Sequence, residues 1–213
     1  SYDGERNALH RVNFGVLPLL ATEWAYVGEN TWRFHLRQGV KFHDGQDFNA
    51  DAVKYTLDRI ARTGGGVLQV GEDSVTVVDE YTVDITPVKE NMRLVQQLVH
   101  TQYSIIAPGT DPGEKLVGTG PFMLEEYKPD EFIAVTRNPE YWGEKAKLKR
   151  ITFRFIPDRE TRVMALEAGD VDVIIRVPME SADRIRETPG LEIFTSDVGA
   201  YTSISANISG EES

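Results

Sequence analysis

Cysteine is absent from this 213-residue chain, which removes disulfides, thiolate zinc sites, iron–sulfur clusters and cysteine nucleophiles together. No apolar run approaches the roughly 18 residues that a membrane-spanning helix needs. Positive charge is scarce: 23 Lys and Arg stand against 34 Asp and Glu, a net charge of −11. Both halves are acidic and neither carries a local basic stripe, so the chain would repel a phosphate backbone and nucleic acid is excluded as a partner. Nucleotide and hydrolase signatures are missing as well. Gly64-Gly65-Gly66 lacks the Lys-Ser/Thr of a phosphate loop, Gly118-Thr119-Gly120 lacks the third glycine of a dinucleotide fingerprint, and no Gly-x-Ser-x-Gly elbow exists. There is no initiating Met. The chain opens on Ser1-Tyr2-Asp3-Gly4 and ends on Gly210-Glu211-Glu212-Ser213, which reads as an excised piece with a C-terminal part expected beyond it.

What is present is an ordinary globular composition, 40% apolar and 27% charged, long enough for one large domain or two small ones. Thr31–Leu36 alternates in polarity and reads as a half-buried strand, continued by Val40-Lys41-Phe42. His43-Asp44-Gly45-Gln46 is a turn, and Asn49 caps a helix whose Val53, Leu57 and Ile60 face inward until Gly64 stops it. Strands follow at Ser74–Val78 and Thr82–Thr86, then a helix over Asn91–Thr101 using Met92, Val95, Gln96 and Val99, then a short buried strand over Tyr103–Ile106. Asp111–Leu116 is polar and marks a domain boundary. Beyond it, Phe122–Tyr127 and Phe132–Arg137 form a hairpin and Arg150–Ile156 a strand. Asp158 caps a helix carrying Val163 and Leu166. The β-branched run Val171–Ile175 is expected as a central strand of one mixed sheet spanning 116–207. A short helix over Ala182–Arg186 and strands at Leu191–Thr195 and Tyr201–Ser209 complete an α/β, mixed α+β pattern.

Candidate chemistry is thin. His35 and His43 lie eight residues apart with Asp44 beside the second, but His35 shares a polar strand face with Arg33 and Arg37, and the spacing fits no metal-ligand pattern. No metal site and no cofactor is expected. Asp170 and Asp172 could serve a carboxylate-dependent hydrolase only by facing each other across a cleft with separated pKa values; the simpler reading is a turn at a strand start. Trp24, Trp32 and Trp142 read as packing residues. Tyr103 and Tyr201 lie near strand ends, where an apolar face with a hydroxyl suits ligand contact.

Five blocks in order resemble one family. They are Val16-Leu17-Pro18-Leu19-Leu20-Ala21-Thr22-Glu23-Trp24, Thr31–Gly45, Gly118-Thr119-Gly120-Pro121-Phe122, Arg137-Asn138-Pro139-Glu140-Tyr141-Trp142 and Ala168-Gly169-Asp170-Val171-Asp172. The set resembles the family 5 extracellular solute-binding proteins of ABC transporters, the dipeptide, oligopeptide and nickel binders. The resemblance implies a class II periplasmic-binding-protein fold: residues 1–115 as an inserted α+β domain of the first lobe, 116–213 as part of that lobe's α/β core, and the second lobe absent. It implies no enzyme but a receptor that captures a small peptide or similar polar solute, or a metal chelate, outside the membrane and delivers it to ABC permease subunits. Membrane association would run through the permease or through a lipid anchor not present in this chain. A sensor domain of the same fold is the other binding alternative.

Nickel-chelate binders of the family carry an arginine a few residues before the Ile106-Ala107-Pro108 block. Here that stretch, His100–Pro108, has none, which favours a peptide or another small polar solute. Four residues flank the implied lobe boundary and are expected to face the ligand: Gln102, Tyr103, Tyr201 and Thr202.

Overall fold

The computed structural model describes residues 15–64, 68–110, 113 and 116–195, and the backbone of 204–207. Two compact units result, Ser1–Tyr127 with Ala134–Thr152, and Lys128–Ile133 with Phe153–Ser213.

The first unit is built on a four-stranded antiparallel sheet, order β1-β2-β4-β3, from β1 (Ala21–Gly28), β2 (Thr31–Leu36), β3 (Val75–Asp79) and β4 (Thr82–Ile85). In β2 the period of two sends Trp32, Phe34 and Leu36 into the core and leaves Arg33 and His35 on the other face. There Arg33 meets its cross-strand neighbour Asp84 with two parallel bonds, Nε to Oδ1 at 2.8 Å and an Nη to Oδ2 at 2.7 Å. Helix α1 (Ala50–Arg62) begins where Asn49, in extended backbone, accepts the Ala52 N–H. Its Val53, Thr56, Leu57 and Ile60 are buried against the sheet core.

Three local expectations change here. Val40–Phe42 does not extend the sheet; Lys41 makes an isolated bridge to Asp47. The helix expected over Asn91–Thr101 shrinks to α2 (Leu94–Leu98), leaving Met92 and Val99 exposed. The Asn91 side chain accepts the Arg93 N–H and delays the start, and His100 Nδ1 accepts the Gln102 N–H and opens a separate 3₁₀ turn, Thr101–Tyr103; local side-chain bonds of this kind compete with helix propagation. No strand forms over Tyr103–Ile106, because Ile106 donates its N–H to Thr56 Oγ1 of α1 (3.1 Å) rather than to a ladder.

A second sheet has the order β5-β6-β7, with β5 (Phe122–Lys128), β6 (Phe132–Arg137) and β7 (Arg150–Arg154). Residues 122–127, 134–137 and 150–152 of these strands belong to the first unit, and Val117 and Trp142 join its core cluster.

In the second unit Asp158 accepts the Thr161 N–H at 2.7 Å and starts α3 (Arg159–Glu167), which is followed by β8 (Val173–Ile175), α4 (Met179–Glu187), β9 (Leu191–Phe194) and β10 (Ile204–Asn207). Val163, Leu166, Ile174 and Ile185 form its core. The sheet order is β8-β10-β9 and both pairings are antiparallel. The expectation of one mixed sheet with Val171–Ile175 at its centre is therefore wrong for the described residues. β8 is an edge strand of a separate three-stranded sheet, and Val173 and Ile175 are 47% and 52% exposed while Ile174 is buried. A β-branched run shows strand propensity, not centrality; here it alternates as a half-buried antiparallel strand does.

Candidate functional site

A cavity of about 540 Å³ opens within the first unit. Its floor follows from the alternation of β2 and β4, which aims Phe34, Leu36, Val83 and Ile85 at it, while Leu57 reaches it from α1. Trp24 of β1 lines another side. Further walls come from the segments 16–21 and 95–105, the 118–121 turn and the Tyr141-Trp142 pair, with Phe48 and Val53 completing the lining.

That turn is held from several directions. His43 donates Nε2–H to the Gly120 carbonyl at 2.9 Å and accepts the Gly118 N–H on Nδ1 at 3.4 Å, a pairing that sets its neutral tautomer. Its backbone N–H adds a 2.9 Å bond to the Gly118 carbonyl. Buried Asn138 donates to the same Gly120 oxygen (3.2 Å), and the Trp142 indole N–H donates to Thr119 (3.1 Å). The Arg37 guanidinium lies 4.8 Å from the Trp142 ring centroid and its Nε donates to Leu19 at 2.8 Å. Arg37 does not itself line the cavity.

Of the residues expected to face a ligand, Tyr103 lines the cavity and is 3% exposed; its hydroxyl is buried without a hydrogen-bond partner. Gln102 is exposed beside it and is not a lining residue. Both occupy the 3₁₀ turn rather than a strand end. Tyr201 and Thr202 lie outside the described residues. The wall residues Trp24 and Trp142 read from sequence as packing alone; they pack against the core cluster and line the cavity as well.

Among the described residues no Asp, Glu, Lys or Arg lines the cavity, and His100 is the only imidazole. Among the described residues no group of three or more His, Asp and Glu side chains can hold a metal ion. His35 faces Thr82, Nδ1 to Oγ1 at 3.3 Å, and His43 is occupied as described above. Asp170 and Asp172 are both exposed in the segment leading to β8. What this geometry offers a solute is a shaped, mostly apolar surface with a few hydroxyl and backbone groups, the usual make-up of a small-molecule pocket. Among the described residues no helix is long and apolar enough to cross a membrane.

Comparison with known proteins gives a consistent picture. The family described as bacterial extracellular solute-binding proteins, family 5 Middle, matches residues 15–211. The glutathione-binding protein GsiB of Salmonella typhi is 34% identical over 189 residues, which cover 84% of this chain and 37% of that protein. The nickel-binding periplasmic protein of Escherichia coli (strain K12) is 32% identical over 197 residues, covering 84% and 38%. Among solved structures, the nickel ABC transporter from Bacillus halodurans superposes with a TM-score of 0.78 at 31% identity, covering 84% of this chain and 38% of that one. The chain thus spans a little over a third of the length of the curated relatives it matches.

Proposed function

This chain belongs to the bacterial extracellular solute-binding proteins of family 5, and from that premise we propose that it supplies part of the substrate-binding component of an ABC importer. The component captures a small peptide or similar polar solute outside the membrane and hands it to the permease subunits, in the periplasm or at the cell surface. In this reading residues 1–115 are the inserted domain of the first lobe and 116–213 part of that lobe's core. Gln102, Tyr103, Tyr201 and Thr202 contribute to the solute-facing surface. The observation that carries the reading is the family match over residues 15–211 together with a formed cavity at Tyr103. A receptor needs a cleft and a closure equilibrium that the solute shifts, and no activated nucleophile.

A nickel chelate is the second reading, favoured by the nickel-binding Escherichia coli relative. Calorimetric titration of the chain with glutathione, di- and oligopeptides, and nickel plus histidine separates the two. A micromolar site is worth about −8 kcal/mol, so a chain carrying half of its contacts is expected to bind no better than about millimolar. The peptides are expected to give the tighter binding. Tighter binding of nickel–histidine replaces the peptide reading with the chelate one. Micromolar binding of any of these places the whole site within the 213 residues and overturns the division between lobes.

A further inference from the structure

The cavity carries a selectivity that the family match does not supply. In a chain that is 27% charged, its lining contains no carboxylate, ammonium or guanidinium group among the described residues. Its floor consists of core-type side chains, among them Phe34, Leu57 and Ile85, each less than a tenth exposed. One lining residue, Tyr103, is 3% exposed, and its hydroxyl is buried without a hydrogen-bond partner, so it is the ring and not the oxygen that the cavity can offer a solute.

We propose that this cavity accepts an uncharged, apolar moiety of the solute, aromatic or branched aliphatic, and that it rejects charged groups of the same shape. The inference rests on the reading of the Tyr103 wall as solute-facing. A peptide fits it through a neutral side chain, while its termini are held elsewhere. The physical basis is desolvation. An apolar group leaves water at a gain proportional to its area. A carboxylate or ammonium group entering the same space loses its hydration and meets no countercharge. Arg37 offers none inside, since it lies against Trp142 and Leu19 and is not part of the lining.

The test uses the isotopically labelled chain and four probes of nearly one shape, benzyl alcohol, toluene, benzoate and benzylammonium, titrated by NMR. Benzyl alcohol and toluene are expected to give saturable shifts centred on Trp24, Tyr103 and Trp142. The two ions are expected to bind at least tenfold more weakly. Val99→Trp, at a lining position that is 63% exposed and therefore safe for folding, should weaken both neutral probes by obstructing the cavity. Charged probes binding within tenfold of the neutral ones overturn the proposal, and so do neutral probes that give no saturable shift at these residues. Neither peptide nor permease enters the experiment, so failure of the transport reading leaves these affinities unchanged. Conversely, peptide capture without a preference for neutral probes refutes this inference and leaves that reading standing.

Discussion

Thr56 ties the main helix to the segment that carries Tyr103, and replacing it by valine isolates that tie. The residue is fully buried. Its hydroxyl donates to the Ala52 carbonyl of the preceding turn at 2.9 Å and accepts the Ile106 N–H at 3.1 Å. Valine keeps the shape and removes the oxygen. The Ala52 carbonyl retains its place in the helix, but the buried Ile106 N–H is left without an acceptor, which costs about 1–3 kcal/mol. Thr56→Ser keeps both bonds and removes one methyl, at about 1 kcal/mol or less. The order of destabilisation is therefore Val worse than Ser, the reverse of what burial of apolar area alone would give. Urea unfolding measures the global cost, and amide exchange of Ile106 measures the local one. Exchange at Ile106 should quicken in Thr56→Val and stay near wild type in Thr56→Ser. A Thr56→Val variant as stable as wild type, with an unchanged Ile106 amide, would show that the Thr56 hydroxyl does not hold the 103–106 segment to the helix.

The tryptophans should separate. Trp32, 5% exposed, is expected to cost about 3–5 kcal/mol on replacement by alanine; Trp24, half-buried at the cavity, is expected to cost about 1–2 kcal/mol and to enlarge the cavity, as urea unfolding and probe binding will record. Acid should weaken the fold through two carboxylates. The Arg33 side-chain hydrogen bond holds Asp84 below the usual carboxylate range, and the Thr161 hydroxyl and N–H do the same for Asp158. A depressed folded-state pKa contributes stability that is complete above the unfolded value near 3.9 and is lost as pH falls through the lower folded value. Urea midpoints followed from pH 5 to pH 2 should drop across that window, and less steeply in Asp84→Asn; an identical slope in that variant would show that the Arg33 pair contributes no such linkage.

Much of the fold could be read from local pattern. The alternation of Trp32, Phe34 and Leu36, the Asn49 and Asp158 caps and the Val53–Leu57–Ile60 stripe are each set by neighbours within a turn or two, and they form as expected. Strand β1 escaped notice because it lies at a sheet edge and buries little, so its sequence carries only a faint period. The Asn91 and His100 side-chain bonds that shorten α2 leave no trace in hydrophobic spacing. Tyr103, which lines the cavity, reads in the sequence as an amphipathic side chain near a segment end, although that segment is a 3₁₀ turn. The His43 clasp was not legible, since its partners Gly118 and Gly120 lie 75 and 77 residues away. Nor can apolar pattern separate a cavity wall from a core: Trp24 and Trp142 belong to both.

The proposed role requires a solute-binding wall built around Tyr103. The most direct measurement is a chemical-shift map of the labelled 213-residue chain titrated with a dipeptide bearing one neutral aromatic side chain. Weak, saturable shifts are expected at Gln102, Tyr103, the Gly118–Pro121 turn and the Trp142 indole, with Asp170 and Asp172 unmoved. Saturable shifts confined to residues outside the cavity would contradict this reading, and so would the absence of any shift at peptide concentrations well above millimolar.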